Sequence, residues 1–208
     1  MNLSEIRRTA TAWRFGRPGA QPELLDRIGC GDQPVAVMLG CWESGIELDQ
    51  LSCAQPGAIL VMQNAGAVAP VPGDTCAAGD MRSLAFALAQ PGVQHLIVCG
   101  HTNCKFLTGL SCQSEVESRN QQSASSGNQN RANYAIPNIA KRLSCDFARW
   151  HVLEQLDKLA SHSDIKQRIA QQTLNLHGWI RDDSRSQIEY YDAWRDRFVT
   201  HSECAKSG

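Results

Sequence analysis

Apolar residues along this chain come in short, dense runs separated by helix-spaced ones. Val35-Ala36-Val37-Met38-Leu39-Gly40 and His95-Leu96-Ile97-Val98-Cys99-Gly100 are β-branched, end in glycine, and read as core strands of a parallel sheet. Ala58 to Gln63 follows Pro56-Gly57 and reads as another strand, closed by Asn64-Ala65-Gly66. Between them the period changes. Residues 22–29 form a short helix with Leu24, Leu25 and Ile28 inward. Residues 79–90 form a second, with Met81, Leu84, Ala85 and Leu88 on one side, stopped by Pro91-Gly92. Strand, helix, strand in succession is the pattern of a parallel α/β sheet with right-handed crossovers.

The ends of the chain carry the rest. Residues 2–14 read as a helix with Leu3, Ile6 and Ala10 on one face and Asn2 or Ser4 as its cap. Trp13 and Phe15 then present an apolar patch, which either packs on its own chain or is an arm on a partner subunit. Residues 111–133 are dominated by Ser, Gln, Asn and Arg, a solvated or disordered excursion rather than a core element. Helix returns over 137–160 and 164–172. Leu174 to Ile180, a polar turn at Asp182 to Ser186, and Gln187 to Tyr191 make a terminal hairpin, followed by a charged tail that frays at its end. The whole reads as one domain over 1–208, α/β in class.

Composition narrows the function. A net charge of −1 on 208 residues shows no basic excess, so no nucleic-acid partner is expected. No apolar run approaches the roughly 20 residues of a membrane span, and residues 1–14 show no signal-peptide core. Nine cysteines without an export signal read as reduced thiols, some of them ligands, and place the chain in the cytoplasm.

The chemistry concentrates where two strands end. One is followed by Cys41, the other by His101-Thr102-Asn103-Cys104. In open α/β sheets ligand sites form outside the carboxyl ends of strands. Cys41, His101 and Cys104 are a plausible Cys2His set for tetrahedral zinc with one position left open for chemistry. Read from residues alone, the bland alternatives stand beside it: buried cysteine is a common small hydrophobe, and His101 can be a satisfied turn residue.

Taken together, these motifs resemble those of the β-class carbonic anhydrases over most of the chain. That family has Gln-Pro before a strand, here Gln33-Pro34, and Cys-x-Asp-Ser-Arg after it, here Cys41-Trp42-Glu43-Ser44-Gly45. Its Arg-Asn-Ala-Gly is here Gln63-Asn64-Ala65-Gly66. Its Val-Cys-Gly-His-x-x-Cys-Gly is here Val98 to Cys104 followed by Lys105, and its Leu-His-Gly-Trp is Leu176-His177-Gly178-Trp179. The resemblance implies a mainly parallel sheet flanked by helices, with an N-terminal helix that embraces a second subunit in a homodimer or higher even oligomer. It implies Zn2+ on Cys41, His101 and Cys104, water in the fourth position, and reversible hydration of carbon dioxide to bicarbonate. It makes Glu43 the carboxylate beside the metal and Gln33 a hydrogen-bond donor to substrate.

The departures fall at the dyad. In the family the Asp and Arg of Cys-x-Asp-Ser-Arg form an ion pair that holds the acid off the metal. Here Glu43 is one methylene longer and Gly45 has no guanidinium. An unrestrained carboxylate can become the fourth ligand and close the site. Lys105 and Arg82 are the cations considered as replacements, and Gln63 removes one more positive charge. Three readings follow: a carbonic anhydrase weakened by the altered dyad; a zinc-binding relative without efficient catalysis that acts as a binding, regulatory or scaffold protein; and a relative acting on another heterocumulene such as carbon disulfide. Of the other side chains, Cys99 is expected in the core, His177 in hairpin packing, and Trp42 in the core. His95, His151, His162 and His201 are expected at the surface, and Glu47 and Asp49 in a solvated turn.

Overall fold

The computed structural model describes residues 20–30, 34–45, 54–71, 73, 77–109, 144–185 and 187–200. The elements are α1 (Ala20–Cys30), β1 (Ala36–Cys41), β2 (Ile59–Asn64), α2 (Ala78–Leu88), β3 (His95–His101), α3 (Ser144–Ser161), α4 (Ser163–Ala170), β4 (Asn175–Asp182), β5 (Gln187–Asp192) and β6 (Arg197–Thr200). Tight 3-10 turns follow β1 at Trp42–Ser44 and β2 at Ala65–Ala67. A helical turn over 105–109 follows β3.

The strands form one sheet in the order β2-β1-β3-β4-β5-β6. The first four run parallel and the last two antiparallel. The apolar runs explain this layout. Every residue of β1 and of β3 is buried, as expected of central strands covered on both faces. At the edge, β2 alternates from Leu60 onward between half-buried and exposed positions. The order 2-1-3 places the switch in winding direction between β1 and β3, where such sheets open a crevice at their carboxyl edge.

One face of the sheet is covered by α2, α3 and α4, with Leu84, Leu88, Val152, Leu156, Leu159 and Ile165 in its core. The other carries α1, whose Leu24 and Ile28 pack with Met38, Ile97, Trp179 and Tyr190. Each fully buried aliphatic of this kind is worth about 1.5–3 kcal/mol of transfer free energy. Helix α3 sits unusually close to β3. A Cβ on Gly100 would stand 2.7 Å from Val152 Cγ2, so glycine before His101 sets that strand's distance from the helix.

The strand and helix expectations hold for the described residues, with three corrections. The tail carries a strand the pattern did not predict, because β6 pairs antiparallel with β5 and buries Val199. In α2 the inward residues are Leu84, Ala87 and Leu88, while Ala85 is exposed. The third concerns histidines. His95, His151 and His162 are buried rather than superficial. The expected helix over 2–14, the polar stretch 111–133, His201, Glu47 and Asp49 lie outside the described residues.

Candidate metal centre

The carboxyl edge of the parallel strands gathers the chemistry. Cys41 closes β1 and His101 closes β3, on either side of the winding switch, and Cys104 lies one turn beyond His101. One potential ligand atom from each of Cys41, Glu43, His101 and Cys104 lies within 4.8 Å of the others. The two sulfurs are 3.9 Å apart. Two thiolates each about 2.3 Å from one tetrahedral metal would be separated by about 3.8 Å, so the thiol pair is spaced for a shared ion. His101 offers the third atom. Its Nδ1 lies 3.0 Å from Asp183 Oδ2, while its Nε2 is buried with no hydrogen-bond partner among the described residues. With Nδ1–H donated to the carboxylate, Nε2 keeps its lone pair, the arrangement that a carboxylate behind the ring gives metal-binding histidines. The donor set therefore fits a zinc ion.

The electrostatics favour a thiolate. The hydrogen bond from Cys104 holds Cys41 well below the usual thiol range against the cost of burial, and His101 and the main-chain groups of Glu43 and Gly66 add to it. Cys104, as the donor of that pair, is pushed up. Burial alone would lower the His101 pKa, but the neighbouring Cys41 sulfur and Asp183 carboxylate raise it. Cys99, by contrast, is fully buried and pushed up to about 12 by desolvation, an inert core thiol as expected.

Much of the support for Cys41 comes from the loop after β2. Gly66 N–H donates to Cys41 Sγ at 3.3 Å. The loop is closed on itself by Asn64, whose side chain bonds both the N–H and the carbonyl of Val68 at 2.8 Å. From above, His151 of α3 donates to the Gly66 carbonyl at 2.8 Å, and Gln155 accepts from Ala69 N–H at 3.0 Å. Gly66 has φ +77, and a Cβ there would meet Phe106 Cδ1 at 2.6 Å. Both facts require glycine. Asn64-Ala65-Gly66 was visible in sequence; the two α3 residues, one helical turn apart, were not read as site support.

Glu43 and its neighbours answer part of the dyad question. Glu43 Oε2 accepts the main-chain N–H of Lys105 at 2.8 Å. Lys105 thus contributes its backbone to the acid. Arg82 stays exposed on α2. The guanidinium that does stand beside Gly45 belongs to Arg181 of β4. Trp42, expected in the core, is 65% exposed beside the site; the 3-10 turn after Cys41 directs it outward. Gln33 lies outside the described residues.

Fold and donor set thus describe an α/β protein with a candidate Cys2His metal site at the switch of a parallel sheet. A sequence profile of the carbonic anhydrase family matches residues 36–188, and the chain belongs to that family. A carbonic anhydrase of Pseudomonas aeruginosa is 28% identical over 200 residues, covering 91% of this chain and 89% of the relative. Carbonic anhydrase 1 of Escherichia coli O157:H7 is 25% identical over 184 residues, covering 85% and 82%. The solved β-carbonic anhydrase CcaA shares the fold with a TM-score of 0.62 at 21% identity, over 95% of this chain and 98% of that one. Tetrameric β-carbonic anhydrases of Sordaria macrospora share it with a TM-score of 0.54 at 22% identity, over 90% and 93%. The β-class resemblance read from the motifs is therefore correct.

Proposed function

We propose that the chain catalyses the reversible hydration of carbon dioxide to bicarbonate and a proton, with zinc held by Cys41, His101 and Cys104. The observation that carries this reading is the convergence of those three donors with the Glu43 carboxylate, within 4.8 Å, at the sheet's switch point. Zinc bound there supplies a Lewis acid able to bring the pKa of water to about 7. The chain's own residues do the remainder. Asp183 fixes the His101 tautomer. Gly66 N–H and the turn after β1 orient Cys41. Glu43, tethered through one oxygen to Lys105 N–H, has its carboxylate in place to accept a proton of the attacking water and turn a lone pair toward the substrate carbon. One C–O bond forms, one carbon–oxygen π bond opens onto the departing bicarbonate, and one proton leaves to solvent. Gln33 is assigned the hydrogen bond to substrate.

We take residues 1–208 as one such unit, working in the cytoplasm as a homodimer or higher even oligomer. Tetrameric relatives of the same fold support the assembly. Among the described residues no helix is long and apolar enough to cross a membrane. The test is hydration by protein of measured zinc content, compared with Cys104→Ser. Zinc-dependent activity lost in the variant supports the reading. Full zinc with no activity favours the alternative, a zinc-binding relative whose site Glu43 closes.

A further inference from the structure

Gly45 stands where the family motif carries an arginine, yet the space beside it is not empty of charge. Gly45 itself ends the 3-10 turn in the left-handed region, with φ 54 and ψ 25. The atom that a Cβ at this position would face is Arg181 Nη1, 3.6 Å away. Arg181 comes from the carboxyl end of β4, where its Cα is the register partner of His101. Its Nη1 makes two contacts. It donates to the Ser44 carbonyl, on the turn that carries Glu43. It also donates to Asp183 Oδ1 at 3.1 Å. The other oxygen of Asp183 takes His101 Nδ1 at 3.0 Å. The carboxylate is anchored from its main chain too, because Asp183 N–H donates to Thr102 Oγ1 at 2.9 Å, and Thr102 N–H in turn donates to the Arg181 carbonyl at 2.9 Å. The guanidinium is partly shielded, with 18% of its side chain exposed.

We propose that Arg181 is a positioning residue of this metal centre, reaching from β4 into the space beside residue 45, where the family motif carries an arginine. It ties together two strands' worth of ligands: the turn after Cys41 through Ser44, and the imidazole of His101 through Asp183. Nη1 carries two N–H groups, so this one nitrogen can donate to the carbonyl and to the carboxylate at once. The geometry also accounts for glycine at 45. A longer side chain there would be forced into left-handed backbone and toward the guanidinium. The acid is handled separately, by Lys105 N–H on Glu43, so a main-chain donor restrains the carboxylate while Arg181 braces the ligand-bearing segments. The inference rests on the reading of the site as a zinc centre.

The test uses the full-length protein and reads zinc affinity by competition with a chromophoric chelator, the visible spectrum of the Co(II)-substituted form, and the urea midpoint. Arg181→Gln is expected to weaken zinc binding about 10–100-fold, the usual range for outer-shell partners, and to alter the cobalt spectrum. Arg181→Lys is expected to recover part of the affinity. Gly45→Arg alone should weaken zinc binding, whereas the same substitution in an Arg181→Ala background should strengthen it relative to Arg181→Ala. That reversal of sign is a coupling a merely structural arginine would not produce. Arg181→Gln with wild-type zinc affinity and cobalt spectrum, even with a lowered urea midpoint, overturns the proposal and leaves the zinc centre standing. A wild-type protein that takes up no zinc overturns the zinc centre and this proposal with it.

Discussion

Glu43 is tethered by the main chain of Lys105: its Oε2 accepts that N–H at 2.8 Å. The tether spans from the turn after β1 to the helical turn that follows Cys104, so it closes the ring of donors on itself. A carboxylate held by a backbone amide keeps one oxygen for chemistry without needing a cation. Glu43→Gln is therefore expected to lower kcat/KM by about 10–100-fold while leaving zinc stoichiometry at one per chain. If Glu43 were a metal ligand, the same variant would instead lose affinity in the chelator competition.

The ligand assignment predicts its own losses. Cys41→Ser and Cys104→Ser should each abolish stoichiometric zinc, measured by atomic emission on dialysed protein. Chelation of the wild type should lower its melting temperature, because ligation free energy is folding free energy. Either serine variant retaining a full zinc complement would contradict the assignment.

Gly66 couples the loop to the metal side chain. It has positive φ, and a Cβ would press on Phe106 at 2.6 Å and Leu107 at 3.5 Å. Gly66→Ala should cost about 1–3 kcal/mol in urea unfolding. Displacing its N–H from Cys41 Sγ should also weaken zinc binding measurably. Gly73→Ala, at a positive-φ position with nothing within 4 Å of the added carbon, is the control. It carries a similar backbone cost but should not change metal affinity.

Buried histidines, His151, His162 and His177 among them, are expected to weaken the fold at acid pH. His177 sits well below the ordinary value of 6.5 because burial penalises its charged form and His95 faces it. Burial likewise lowers His151. The unfolded chain binds protons below about pH 6.5 that these native rings refuse, so stability is complete above that pH and falls as the pH drops. Each ring contributes a slope of up to ~1.4 kcal/mol per pH unit below it. His177 donates to Gln21 at 2.8 Å, and Nε2 of His177 lies 3.0 Å from Nδ1 of His95. His177→Gln should flatten the curve between about pH 5 and 6.5 relative to wild type. Identical slopes in paired urea titrations would contradict it.

The central sheet was legible because β1 is apolar and β3 has an apolar run inside its two histidines, a pattern that suits doubly covered strands. The gathering of Cys41, His101 and Cys104 was legible because the first two close such strands and the third lies in the turn just after His101. β6 was not: Arg197-Phe198-Val199-Thr200 is short and flanked by charge, and only its pairing with β5 makes it a strand. The buried histidines were misjudged because polarity suggests the surface, whereas His95 and His177 satisfy each other and His151 satisfies a loop carbonyl. Arg181 did not stand out beside Lys105 and Arg82, because it lies far from Gly45 along the chain. Its proximity to Gly45 depends on β4 lying next to β3, a relationship of register that spacing along the chain does not carry.

The most direct test is stopped-flow carbon dioxide hydration per mole of bound zinc, across about pH 6.5 to 9, where a metal-activated water should ionise. Activity is expected to rise with pH, to scale with zinc content, and to disappear in Cys104→Ser. Protein carrying one zinc per chain and showing no hydration at any pH in that range would contradict it.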